Sequence, residues 1–354
     1  MADIVFILGA GASQEAGGPL MNDFLDIANS LLETKKVGDK ADFFKRVFDA
    51  ISALQVVHSK SQLDLTNIES VFNALEMARI LKKFPGPDGF SVEDTIEALK
   101  QLIACTLEQT ILFPVEYPLI KPPLPYGRFA ELLNYITKKA HPTRSVAVLT
   151  FNYDIAADYA LLVNQLEPNY YLESDRLQGI PLLKLHGSIN WAVCEDCGKV
   201  IPWYLQNFFE KFNTSSLENA KKVIIDIWSK FHQFQHCRKP VKSLPLLVPP
   251  TWNKTDHYEE IQKVWVRAAI ELADAENIFI IGYSLPPTDS FFPTLYALGT
   301  AGGKPLKRIW VFNPDKDNVE NRFRDLLGPG AASRFEYFHS NFREALIKIR
   351  EEFH

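Results

Sequence analysis

The chain is 354 residues long with a formal net charge of −5, and 47% of its residues are hydrophobic. That length supports a large core plus an insertion, and the mildly acidic balance argues against a general nucleic-acid or membrane-surface binder. No stretch approaches the roughly 20 apolar residues that span a bilayer, and four cysteines are too few for a disulfide framework at this length.

Asp3 to Leu8 is a short apolar run of β-favouring side chains that breaks at Gly9-Ala10-Gly11-Ala12-Ser13. It has no basic leader and no cleavage signal, so the expected location is the cytoplasm. After Gly17-Gly18-Pro19, Leu20, Phe24, Ile27, Ala28 and Leu31 repeat at helical spacing. Strand, glycine turn, helix is the opening of a nucleotide-binding α/β unit. The two glycines let backbone amides approach a pyrophosphate, and Ser13 can donate to phosphate or cap the helix. A tight turn without ligand is the competing reading.

Between about residues 40 and 140 the period becomes helical. Four apolar sets carry it: Phe43 to Leu54, Ile68 to Ala78, Val92 to Leu107, and Phe129 to Ile136. Pro114 to Pro125 reads as a loop. The block is a mostly helical insertion or lid, and its phenylalanines, like Phe208, Phe209 and Phe212 further on, are read as core.

Strand character returns at Ser145 to Thr150, which runs into Phe151-Asn152-Tyr153-Asp154, and at Pro181 to Leu185, which runs into His186-Gly187-Ser188. Asn277 to Ile281 ends in Gly282-Tyr283-Ser284, and Arg308 to Phe312 ends in Asn313-Pro314-Asp315. A final helix covers about Phe342 to Phe353. Taken singly, Asn152 and Asp154 read as a turn or cap, His186 as a structural histidine, and Asn313 as a turn residue. Five apolar strands that each stop at polar or glycine residues are another matter. In an open parallel sheet, ligands sit in the crevice beyond those ends. A histidine there can act as acid or base near neutral pH. The fold class expected is therefore α/β: a Rossmann-like parallel sheet flanked by helices. It forms one domain over 1–354, with a helical insertion at 40–140 and a small irregular module at 192–245.

That module holds Cys194, Cys197 and Cys237. The Cys-x-x-Cys pair has ligand spacing, and Cys237 with His236 or His232 would complete a tetrahedral set. Reduced thiols on a surface loop are favoured over zinc, because a second pair is missing. No metal residue is assigned.

The ordered set Gly-Ala-Gly-Ala-Ser, Thr-Phe-Asn-Tyr-Asp, Leu-His-Gly, Gly-Tyr-Ser and a late Asn resembles the sirtuin-like NAD-consuming family. Its bacterial anti-phage branch is the nearer likeness. The resemblance covers the start and about Ser145 to Asp315. It implies that Gly9, Ala10, Gly11 and Ser13 line the pyrophosphate, and that Asn152 contacts the nicotinamide ribose and positions water. It further implies that Asp154 holds the nicotinamide carboxamide, that His186 meets the ribose hydroxyls as base, and that Gly282, Ser284 and Asn313 bind the phosphate and adenosine side. The chain departs from the deacylase pattern. It lacks an arginine-bearing segment after the first glycine turn, where Glu15 to Phe24 stands, and it has one complete Cys-x-x-Cys pair.

The implied activity is cleavage of NAD to nicotinamide and ADP-ribose. The implied setting is a regulated, oligomeric effector of anti-phage defence, partnered by a hexameric DNA-translocating ATPase (HerA-type) or a short Argonaute. No direct nucleic-acid or membrane contact is expected. A protein deacylase, or a non-catalytic sensor of NAD or ADP-ribose, are the alternatives.

Overall fold

The computed structural model describes residues 1–87, 89–173, 178–206, 217–248 and 258–353. Phe208, Phe209 and Phe212 lie outside them. The centre is a seven-stranded sheet of β1 (Ile4–Leu8), β2 (Val146–Thr150), β3 (Pro168–Asn169), β4 (Ile180–Lys184), β5 (Asn277–Ile281), β6 (Arg308–Phe312) and β7 (Phe335–Phe338). Their order across the sheet is β7-β6-β5-β1-β2-β4-β3, and every pairing is parallel. All residues of β1, β2 and β5 are buried. Side chains alternate across a strand, so burial of both sets means that both faces are covered, which explains the unbroken apolar runs.

Helices supply that cover. They are α1 (Ala10–Gln14), α2 (Phe24–Glu33), α3 (Ala41–Leu54), α4 (Ile68–Leu81), α5 (Val92–Thr110), α6 (Leu124–Lys138) and α7 (Ala156–Val163), then α8 (Tyr258–Asp274), α9 (Phe291–Thr300), α10 (Lys316–Leu326), α11 (Pro329–Ala332) and α12 (Phe342–Glu351). Four of these helices, α3 to α6, fall between Ala41 and Lys138, and the last of them, α6, packs on the sheet. Phe129 of α6 meets Phe6 edge-on at 5.2 Å between ring centroids, and Tyr126 meets Phe342 of α12 at 5.4 Å. The Pro114–Pro125 stretch is not wholly a loop. Phe113–Glu116 pairs with Leu119–Ile120 and with Lys222–Val223. Proline lacks a ladder donor, but these short strands form only a three-stranded patch that tolerates it.

A second sheet follows β4. Gly187–Val193 pairs antiparallel with Val200–Pro202 and Pro245–Leu247. Register carries the chain's distant segments to one place. Leu8 pairs with Thr150 and with Ile281, Thr150 with Lys184, and Ile281 with Phe312. The strands therefore end level, and the residues after them share one edge of the sheet. The chain moves from β1 out to β3 and back to β4 on one side, then crosses to β5 on the other, so β1 and β5 flank a topological switch point.

Candidate functional site

A cavity of about 480 Å³ opens beyond those strand ends. Its wall includes Ala10, Gly11, Asn152, His186, Gly282, Ser284 and Asn313, seven of the ten residues singled out in the sequence. Among the residues lining it, Gly9, Ser13 and Asp154 do not appear. The helical block contributes Asn67, Ile68, Glu69 and Phe72.

Asn152 follows Thr150, whose hydroxyl caps the strand end by accepting the Asn152 N–H at 3.1 Å. The Asn152 Nδ2 donates to the Gly9 carbonyl at 2.9 Å and the Ser13 hydroxyl at 3.0 Å, and approaches the Tyr126 hydroxyl at 3.3 Å. A carbonyl can only accept, so this assignment of the amide is fixed by chemistry. The Ser13 hydroxyl in turn donates to Asp154 Oδ2 at 2.7 Å, while Asp154 Oδ1 accepts the Ala156 N–H at 2.9 Å. Asp154 is thus buried behind Ser13, both of its oxygens bonded within the protein. Burial pushes its carboxyl up, against the pull of Lys184 and these hydrogen bonds. Geometrically, Asp154 and Ser13 support Asn152 from beneath the cavity.

His186 is held by its backbone from two sides. Its carbonyl accepts the Val248 N–H at 2.8 Å, and the preceding Leu185 carbonyl accepts the Trp265 indole N–H at 3.0 Å. Its ring is edge-on to Phe151 at 5.1 Å, and its Nε2 lies 3.9 Å from Asp289 Oδ2. Asp289 is buried and accepts the Tyr283 hydroxyl at 2.8 Å. Tyr283 stacks on Phe151 at 4.2 Å, so the Gly282-Tyr283-Ser284 turn is clamped to the β2 end.

The turns after β1 and β5 touch directly. The Gly11 N–H donates to the Gly282 carbonyl at 2.9 Å. Gly282 has φ +63, and a Cβ there would lie 2.2 Å from the Ala12 nitrogen. Both the conformation and the space demand glycine. Gly282→Ala is therefore expected to cost about 2–4 kcal/mol of stability, since strain and a backbone clash add. Urea unfolding checks this, and a loss under about 0.5 kcal/mol, the ordinary surface range, refutes it.

Sequence reasoning missed Tyr126, Glu69, Asp289 and Arg322. Glu69 follows the α4 cap residue Asn67 and reads as an ordinary first-turn carboxylate. Asp289 lies just past the Pro286-Pro287 loop, and that proximity was the one available signal.

Away from the cavity, Cys194, Cys197, His236 and Cys237 place their donor atoms within 4.8 Å of one another. The Gln235–His236 and Lys239–Pro240 pairing folds His236 and Cys237 back over the Cys-x-x-Cys turn. The His236 Nδ1 lies 3.5 Å from Cys197 Sγ and 3.4 Å from Cys237 Sγ. A tetrahedral zinc with its usual bond lengths sets such S···N edges at roughly 3.5 Å. The donor set therefore fits zinc with His236, not His232, as the fourth member. The hairpin, not linear spacing, brings His236 and Cys237 to the Cys-x-x-Cys turn, which the sequence alone does not display.

No family model matches the chain, and no curated protein matches it in sequence. Among solved structures, it is similar to a Sir2 homolog–NAD complex at 15% identity, covering 99% of this chain and 88% of that one, with a TM-score of 0.44. A mutant Sir2 homologue in complex with ADP ribose matches at 15% identity over 98% and 90% of the two chains, with a TM-score of 0.42. Sir2Tm bound to a propionylated peptide matches at 15% identity over 99% and 92%, with a TM-score of 0.39.

Proposed function

We propose that the chain cleaves NAD to nicotinamide and ADP-ribose, as a regulated effector of anti-phage defence. The observation that carries the reading is the convergence of Asn152 and His186, from different strands, on one cavity at the switch point. A volume of about 480 Å³ lies within the range of about 300–1,000 Å³ usual for cofactor-sized ligands.

The chemistry follows from the wall. Breaking the nicotinamide–ribose bond sends its electron pair to the ring nitrogen, and nicotinamide leaves neutral. Positive charge develops on the ribose, as in glycoside cleavage. Glu69 and Asp289 both line the cavity, and in their ionised forms these carboxylates would stabilise a cationic ribose. With its Nδ2 committed to Gly9 and Ser13, Asn152 has its carbonyl oxygen to orient a water or a ribose hydroxyl. His186, braced by Phe151 and Asp289, suits the ribose hydroxyls. On the far side, Arg322 donates through Nη1 to the Ser284 carbonyl at 3.1 Å and supplies a cation beside the turn that would meet the phosphates.

The test is nicotinamide release from NAD by the purified chain, alone and with the product of the neighbouring gene. Release under either condition supports the reading; ADP-ribose binding with no turnover in both would make the protein a sensor instead. The partner reading is a hexameric DNA-translocating ATPase or a short Argonaute, acting on an oligomer of this chain, since unrestrained NAD cleavage would harm the host.

We also propose that the Cys194, Cys197, His236, Cys237 set holds a structural zinc. Zinc content of about one per chain is expected by elemental analysis. Chelation, or Cys197→Ser combined with Cys237→Ser, is expected to lower Tm by several degrees. Zinc-free protein with the same Tm as the zinc-supplemented form would refute it.

A further inference from the structure

We infer that Glu69, carried into the cavity by the helical block, is the general base that activates the attacking water, with Asp289 beside it. The inference rests on the NAD-cleaving reading above.

Three constraints place this carboxylate. The Asn67 side chain caps α4 by accepting the Glu69 and Ser70 N–H groups at 2.8 and 3.4 Å. The Ile68 N–H donates to the Met21 carbonyl at 3.4 Å, which ties the helix start to the segment before α2. The Thr288 hydroxyl donates to Glu69 Oε2. Thr288 adjoins Asp289, and Asp289 Oδ2 lies 3.9 Å from His186 Nε2. Glu69, Asp289 and His186 therefore follow one another along one wall of the cavity.

Of the three, Glu69 suits the base role best. Asp289 spends Oδ2 on the Tyr283 hydroxyl at 2.8 Å and Oδ1 on the Phe292 N–H at 3.4 Å. The His186 ring lies 5.1 Å from Phe151 and 6.2 Å from Tyr153 between centroids, and its Nε2 is 3.9 Å from Asp289 Oδ2. The ionisable groups facing Glu69 are Asp289 and Tyr153, with Tyr283 and His186 beyond Asp289. Burial first, and then the Asp289 charge, push the Glu69 carboxyl up to about 7, while the Thr288 hydrogen bond pulls it down. A base is most effective when its pKa lies near the working pH. The step balances. The C–N bond breaks with its electrons on nicotinamide, water oxygen bonds to the ribose carbon, and the water proton passes to Glu69 and then to solvent.

Glu69→Gln keeps the shape and an acceptor for Thr288. It is expected to lower kcat at pH 7.5 by about 10²-fold or more, with KM and Tm little changed. In the wild type, kcat is expected to rise with pH through about 7 as Glu69 loses its proton; in Glu69→Gln that rise disappears. Azide needs no deprotonation, so Glu69→Ala supplied with azide is expected to regain turnover and form ADP-ribosyl azide, which a merely structural role for Glu69 would not allow. Wild-type activity and an unchanged pH profile in Glu69→Gln overturn the assignment alone. Loss of activity in Glu69→Ala without azide rescue also overturns it. A wild-type protein that releases no nicotinamide under any condition overturns the NAD-cleaving reading, and this inference with it.

Discussion

Asn152→Ala and His186→Ala are each expected to reduce nicotinamide release by about 10²–10⁴-fold, the span of a lost positioning or acid–base group. Steady-state kinetics over a range of NAD concentrations would separate two causes. Loss confined to kcat means the group acts in the transition state, whereas a raised KM alone means it only held the ground state. The two variants should differ in stability. Asn152 ties the β2 end to the Gly9 carbonyl and to Ser13, so its removal also leaves acceptors unmet beneath the cavity, at a cost of about 1–3 kcal/mol. Near-wild-type turnover in both variants would refute the proposed reaction.

Lys184→Met is expected to be the most damaging single change to stability. Lys184 is fully buried at the end of β4, pairs with Asp158 of α7 at 3.0 Å, and donates to the Asp154 carbonyl. Asp158 also accepts the Tyr170 hydroxyl at 2.6 Å. Removing the lysine leaves a buried carboxylate without its cation, which costs about 3–5 kcal/mol. Against a typical total of about 5–15 kcal/mol, that is a large share. Denaturant unfolding of Lys184→Met, Asp158→Asn and the double variant measures it. The double is expected to lose less than the sum of the singles, because it removes both stranded charges. A single-variant loss below about 1 kcal/mol would refute this. The pair also reaches the site. Lys184 holds the Asp154 backbone, Asp154 holds Ser13, and Ser13 accepts from Asn152.

The strands legible in the sequence are those covered on both faces, because only they read as unbroken apolar runs. β1, β2, β5 and β6 lie where their runs predicted. The edge strands β3 and β7 did not announce themselves: β3 has two residues, and β7 is partly exposed along its length. Gly187–Val193 was hidden for a different reason. It is buried with polar side chains inside it, and the Ser188 hydroxyl meets Asn190 Oδ1 at 2.6 Å, so the pattern looks like a loop. At the site, residues that end strands were visible because their position implied a shared edge. Asp154 carried the same signal, yet the fold turns its carboxylate inward to Ser13. Glu69 was invisible because nothing local distinguishes a carboxylate that enters a cavity from one that complements a helix dipole.

The level register of the strands has a consequence for how this protein can be assayed. No short stretch of polypeptide contains the cleft: its wall is assembled from segments that become neighbours only when β1, β2, β4, β5 and β6 have aligned. A dinucleotide thus has nothing to grip on an unfolded chain, and occupancy must raise the melting midpoint in proportion to the logarithm of its concentration. Under the proposed reaction, thermal shift with unreactive ADP-ribose is expected to report the integrity of the whole sheet, even in variants without turnover.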